Sequence, residues 1–170
     1  SRSKRMTWLT GTRLGRVASR RFVAGETIEQ AMDYVRSLNA AGMVATVDRL
    51  GENVTSQDEA VAASEDYLEM IEGIRSLGLD ATVSVKLTSM GLDIGDGFAD
   101  DLVGRIAARA GQEGEPIEVT IDMEGSPYTQ RTLDIFHGAH ARYPHVAAVV
   151  QSMLYRTESD IEGLIDVGAH

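Results

Sequence analysis

Cysteine is absent from this chain, so no disulfide framework, thiolate metal site or thiol nucleophile is available to it. The lack of cysteine fits a reducing compartment such as the cytoplasm. Three prolines in 170 residues leave no Pro-rich linker, and no low-complexity tract divides the chain. No apolar run approaches the ~20 residues that a membrane-spanning helix needs. Missing too are a Walker-type phosphate loop and the Gly-x-Ser-x-Gly elbow of serine hydrolases. A basic body is also wanting. The net charge is −10, and all of residues 1–21 carry seven Lys or Arg and no acid. The rest therefore sets nine positive against 26 negative charges, a net of −17. A body of that sign lacks the cationic face that phosphate neutralisation requires, which argues against nucleic acid as a partner. The basic head reads as a solvated or partly helical lead-in, with a targeting peptide or an anionic-lipid contact as alternatives.

What is present is a rhythm. Four short apolar stretches, residues 43–47, 81–85, 117–121 and 146–150, run into Asp48, Lys86, Asp122 and Gln151. The gaps between these polar residues are 38, 36 and 29 positions, and each gap holds one helix-patterned segment. Thr27 and Gln30 predict a capping box opening a helix that reaches Ala41, with Gly42 as its stop. Ser56 and Glu59 predict a second box, followed by Ala60, Tyr67, Leu68, Ile71 and Ile74 at helical spacing. Asp96 or Gly97 opens a third helix. Ser126 and Pro127 read as an N-cap and first helical residue of a fourth, and Thr157 as the start of a fifth. After the first helix the order is β-α-β-α-β-α-β-α, which implies a parallel sheet. An open nucleotide-binding sheet carries a Gly-rich turn after its first strand, and Asp48-Arg49-Leu50-Gly51-Glu52 is not one. The fold expected is therefore α/β of the (β/α)₈ TIM-barrel type, with the first four βα units present behind a helix. Residues 22–170 form that half-barrel, and residues 1–21 the lead-in.

In such a barrel the strand ends face one site, so the polar residues there are the candidates. Lys86 meets an anionic ligand or a carboxylate, or else snorkels to the rim. Asp122 positions a base, a flavin or a substrate amine, or else bonds nearby backbone amides. Gln151 offers a donor and an acceptor, suited to the edge of a heteroaromatic ring or to a neighbour's backbone. Asp48 and Glu52 flank a loop in which Gly51 permits an unusual backbone angle, and read as surface carboxylates. Glu124 is placed higher in its loop and more exposed. His137 and His140 lie three apart on a helix without a third metal ligand, and read as helix surface. Residues 93–97, Asp-Ile-Gly-Asp-Gly, lack the register of a calcium loop and read as a mobile connection.

Five strings occur in register with the rhythm: Phe22-Val-Ala-Gly-Glu-Thr27, Thr46-Val-Asp-Arg-Leu-Gly-Glu52, Val83-Ser-Val-Lys-Leu-Thr88, Ile121-Asp-Met-Glu-Gly-Ser126 and Val150-Gln-Ser-Met-Leu-Tyr-Arg156. Together they resemble the bacterial monofunctional proline dehydrogenases, over residues 22–170. The resemblance implies a FAD-containing barrel that oxidises L-proline to Δ1-pyrroline-5-carboxylate. Hydride passes to the flavin, and electrons pass on to a quinone at a membrane. It implies that Lys86 meets the proline carboxylate and that Asp122 is the active-site aspartate of the third strand. Met123 and Gln151 match flavin-contacting positions, and Glu52 matches a carboxylate that pairs with a substrate-binding arginine to gate the site. The family continues into a fifth strand and an arginine-bearing helix that lie beyond His170, so the chain reads as an N-terminal half, inactive alone. A cytoplasmic location, with peripheral contact at the inner membrane, follows from the same resemblance. Two other readings stand beside it. One is a non-catalytic half-barrel that pairs through open strand edges and an uncovered apolar interior, with a complementing C-terminal half or a second copy as its partner. The other is a lyase using Lys86 as an amine nucleophile.

Overall fold

The computed structural model describes residues 24–112 and 114–169. The basic lead-in, residues 1–21, lies outside them. The expected alternation is present: α1 (Ile28–Ala40), β1 (Ala45–Asp48), α2 (Gln57–Ser76), β2 (Ala81–Val85), α3 (Asp96–Ala110), β3 (Val119–Ile121), α4 (Thr129–Arg142), β4 (Val146–Ala148) and α5 (Thr157–Asp166). The four strands form one sheet in the order β1-β2-β3-β4, with every pair parallel. A doubly wound sheet reverses its strand order at a switch point. This one never reverses. The helices stack in the same sequence, α1 on α2, α2 on α3 and α3 on α4, so they form one layer on one face of the sheet. This is the construction of a (β/α)₈ barrel, seen for four of its units.

Register decides which side chains enter the core. Val47, Val83 and Val119 share one register row, and Val85 and Ile121 the next. Because side chains alternate across a strand, all of these point to the helix layer. There they are buried with Ile71, Ile74, Val103, Ile106 and Phe136. The opposite face carries Thr46, Asp48, Thr82, Ser84 and Thr120. Thr46 and Thr82 share a hydroxyl–hydroxyl bond of 2.9 Å across that face. The open side is therefore polar, not the uncovered apolar interior expected from sequence. Exposed apolar side chains lie beside both outer strands instead, at Val44 and Leu50 next to β1 and at Met153, Tyr155 and Ile165 beyond β4. No helix among the described residues is long and apolar enough to cross a membrane.

Local signals held at some ends and failed at others. Thr27 Oγ1 accepts the Gln30 amide at 3.4 Å, and Gln30 Oε1 returns to accept the Glu26 amide at 3.0 Å. Ser56 sits at the N-cap of α2 but makes no side-chain cap bond. Ser126 and Pro127 open a 3₁₀ turn (Ser126–Tyr128), and α4 begins only at Thr129. Thr157 is the first residue of α5, as expected, and its hydroxyl donates to the Gln151 carbonyl at 2.6 Å. The stretch at 93–97, expected to be mobile, is pinned. Arg131 Nε donates to Asp96 at 2.8 Å, and Tyr128 Oη donates to Asp93 at 3.1 Å. Just before it Leu87, Met90 and Leu92 are wholly buried. His137 is exposed as expected, but His140 is buried against the Phe136 ring, with Nδ1 2.7 Å from the Val146 carbonyl oxygen. Residue spacing placed it on α4 but did not reveal that β4 closes over it.

Candidate active site

The register that fills the core also assembles the site. Asp48 is paired with Ser84, and Ser84 with Thr120. One further step along β2 and β3 therefore brings Lys86 and Asp122 to the same face, beyond the strand ends. The Lys86 ammonium donates to Asp48 Oδ2 and lies 3.3 Å from Asp122 Oδ2. The second oxygen of each carboxylate is also held. Ser84 Oγ donates to Asp122 Oδ1, and Tyr67 Oη donates to Asp48 Oδ1 at 3.1 Å. Tyr67 rises from the middle of α2, is wholly buried, and its hydroxyl also accepts the Arg49 amide at 3.3 Å.

These contacts set the protonation of the cluster. Burial by itself pushes the Lys86 ammonium down, but the bonds and charges of Asp48 and Asp122 outweigh it and hold its pKa above the usual lysine value. Tyr67 is driven strongly upward, first by burial and then by the negative charge of Asp48. It stays a neutral hydroxyl donor throughout the ordinary pH range. The Lys86 side chain keeps 24% of its surface and that of Asp122 28%, so the cation is fixed yet open to a ligand.

Beside the cluster lies a cleft of about 510 Å³. Glu52, Lys86, Asp122, Met123 and Gln151 all line it, together with Asn53, Glu124, Tyr128 and Val149. The five residues singled out from sequence thus come together from four different strand ends, across 100 positions of chain. Among the described residues no group of three or more His, Asp or Glu is arranged to hold a metal ion.

A sequence-family model described as proline dehydrogenase matches residues 31–170. The chain belongs to the proline dehydrogenase family. It is 40% identical over 157 residues to proline dehydrogenase 1 of Bacillus subtilis subsp. natto, covering 92% of this chain and 50% of that protein. It is 34% identical over 152 residues to the proline dehydrogenase of Deinococcus radiodurans, covering 86% and 48%. The chain spans about half the length of the curated relatives it matches. Among solved structures, proline utilization A from Bdellovibrio bacteriovorus superposes with a TM-score of 0.76 at 21% identity, covering 85% of this chain and 18% of that one. Proline utilization A from Corynebacterium freiburgense gives 0.74 at 20% identity, covering 95% and 17%. At that identity the likeness is one of fold.

Within this proline dehydrogenase family member, four site features were not read from sequence. Tyr67 looked like one more residue of an apolar helix stripe, because nothing in the periodicity distinguishes its hydroxyl from a core methyl. Ser84 looked like an ordinary strand residue. Asp48 was read as a surface carboxylate, although it is the direct partner of Lys86. Glu124, expected high and exposed in its loop, is half-buried, and its carboxylate accepts both the Thr88 amide, at 2.9 Å, and the Thr88 hydroxyl. A carboxylate or hydroxyl within three residues of a strand end was the signal available for the last three.

Proposed function

We propose that this chain forms the carboxylate-binding half of a (β/α)₈ barrel that oxidises L-proline to Δ1-pyrroline-5-carboxylate, with FAD as hydride acceptor and a quinone receiving the electrons. The observation that carries the reading is the Lys86 ammonium, held between Asp48 and Asp122 yet partly open to a cleft that Glu52, Met123 and Gln151 share. A proline zwitterion needs a cation for its carboxylate and an anion for its ammonium. Lys86 offers the first, and Asp122, fixed by Ser84, offers the second. Asp48, fixed by Tyr67, keeps Lys86 charged while no substrate is bound. Flavin dependence is general to the family, and the donor set fits such a ring. Gln151 Nε2 is committed to the Met123 and Glu124 carbonyls at 3.2 Å each, while its Oε1 has no hydrogen-bond partner among the described residues. Buried Met123 supplies apolar surface beside it. FAD, when bound, supplies the hydride acceptor. Glu52 lines the same cleft and is exposed, which supports the reading that it pairs with a cationic side chain brought by the second half-barrel. The open edges of β1 and β4 and the apolar surface beyond β4 favour such a partner, whether a complementing half or a second copy. Quinone reduction would bring the assembly to a membrane surface, where the basic segment 1–21 suits anionic lipid.

The test is anaerobic reduction of bound flavin by proline, in this chain joined to a second half-barrel from a curated relative. Asp122→Ala slows reduction by tenfold or more, on the order of the loss of one charged contact, while the melting temperature moves by only a few degrees. A lowered melting temperature with unchanged reduction would make Asp122 a loop residue and end this reading.

A further inference from the structure

All four loops at the strand C-terminal ends are tied together by one chain of hydrogen bonds, and Glu124 is its hub. Its carboxylate accepts the amide and hydroxyl of Thr88, which is almost wholly buried in the loop after β2. Thr88 in turn accepts from the loop after β1. Its Oγ1 takes the Asn53 amide at 3.1 Å, and its carbonyl takes the Val54 amide at 3.0 Å. On the other side the Glu124 carbonyl accepts Gln151 Nε2, from beyond β4, at 3.2 Å. Asn53 is the only non-glycine residue with positive φ among the described residues, at 57°. Asparagine enters the left-handed region more readily than most non-glycine residues, and a hydrogen bond to its amide then fixes the turn there. Here the hold is the Thr88 hydroxyl, and the residue it fixes is next to Glu52.

We propose that Glu124 is a positioning residue that couples the Glu52 loop to Gln151 through Thr88. The inference rests on reading Glu52 and Gln151 as site residues. Glu124 touches neither substrate nor cofactor in this role. Its two ends, side chain and carbonyl, link the loop that carries the Glu52 carboxylate to the Gln151 amide across the cleft that both line. Occupancy at Gln151 is thereby felt at Glu52, and the reverse.

Amide exchange and the side-chain amide resonances of the 170-residue chain test this without any activity being required. In Thr88→Val, which keeps the shape but loses the hydroxyl, the Asn53 amide exchanges about tenfold faster, the effect of one lost hydrogen bond. The amides of Val83 and Val119 in the sheet stay as they were. Thr88→Ser keeps the hydroxyl and restores slow exchange. Glu124→Ala accelerates Asn53 and also shifts the Gln151 side-chain resonances. Unchanged Asn53 exchange in Thr88→Val overturns the proposal, as does equal acceleration of the sheet amides, which marks a general loosening. Unmoved Gln151 resonances in Glu124→Ala overturn the coupling. None of these results depends on proline being the substrate, so the proposal and the proposed function fail separately.

Discussion

Replacing Lys86 by methionine keeps the length and apolar stem of the side chain and removes only the ammonium. Asp48 and Asp122 then face one another across the site without the cation that both contact. Their outer oxygens remain held by Tyr67 and Ser84, so neither carboxylate swings freely away. An exposed ion pair contributes about 0.2–1 kcal/mol, and a hydrogen bond to a charged group in a buried setting about 1.5–3 kcal/mol. With 24% of the Lys86 side chain exposed, the Asp48 contact falls between these limits, at about 1–2 kcal/mol, and the longer Asp122 contact adds less. Lys86→Met therefore destabilises the fold by about 2 kcal/mol at neutral pH, measured by urea unfolding with an unchanged slope. Adding Asp48→Asn removes one of the two opposed charges and returns part of the loss, so the double variant is more stable than the sum of the two single changes predicts. A Lys86→Met cost below about 0.3 kcal/mol, or strict additivity with Asp48→Asn, would refute the claim that this cluster is an interacting unit.

Alkali attacks the same cluster. Lys86 and Tyr67 both have folded-state pKa values raised above their ordinary 10.5 and 10.0, so their contribution is whole below those values and is lost as pH rises past them. Stability falls above about pH 10, and Tyr67 contributes no tyrosinate absorbance until the chain unfolds; a Tyr67 signal rising in the folded protein contradicts its burial. His140→Ala costs about 2–4 kcal/mol, from a lost bond to the Val146 carbonyl and a cavity under Phe136, whereas His137→Ala stays within about 0.5 kcal/mol. Paired thermal melts separate the two, and equal effects would mean that α4 presents both histidines alike. The 170-residue chain alone holds FAD weakly and does not reduce a dye with proline, because near-attack geometry accounts for roughly 7–11 kcal/mol of such barriers and its cleft is open on one side. Turnover close to that of a curated relative in a proline-dependent dye assay would show that this chain, or an oligomer of it, closes the site unaided.

The strands and helices were legible because their signals are local. Apolar runs such as Ala81–Val85 and the Thr27–Gln30 box act over a few residues, and the run of residue types alone predicts them. The strand ends were legible for the same reason, and so Lys86, Asp122 and Gln151 stood out before any contact was known. What each one bonds to was not. Asp48 lies 38 positions from Lys86, and Tyr67 lies 19 from Asp48. Only the parallel register of β1 against β2 and the packing of α2 on the sheet bring these atoms within bonding distance. Tyr67 shows the limit most plainly, since a helix period reports which face is buried and says nothing of what a hydroxyl meets there. Glu124 shows it again: sequence placed it in a loop, but the loop's height depends on how Thr88 turns beneath it. The polarity of the open face was hidden likewise, because alternation along β2 offers two faces and only the position of the helix layer chooses between them. Local patterning determined which elements form and which residues end them, while the pairing of distant segments decided the partners, burial and protonation of every group in the site.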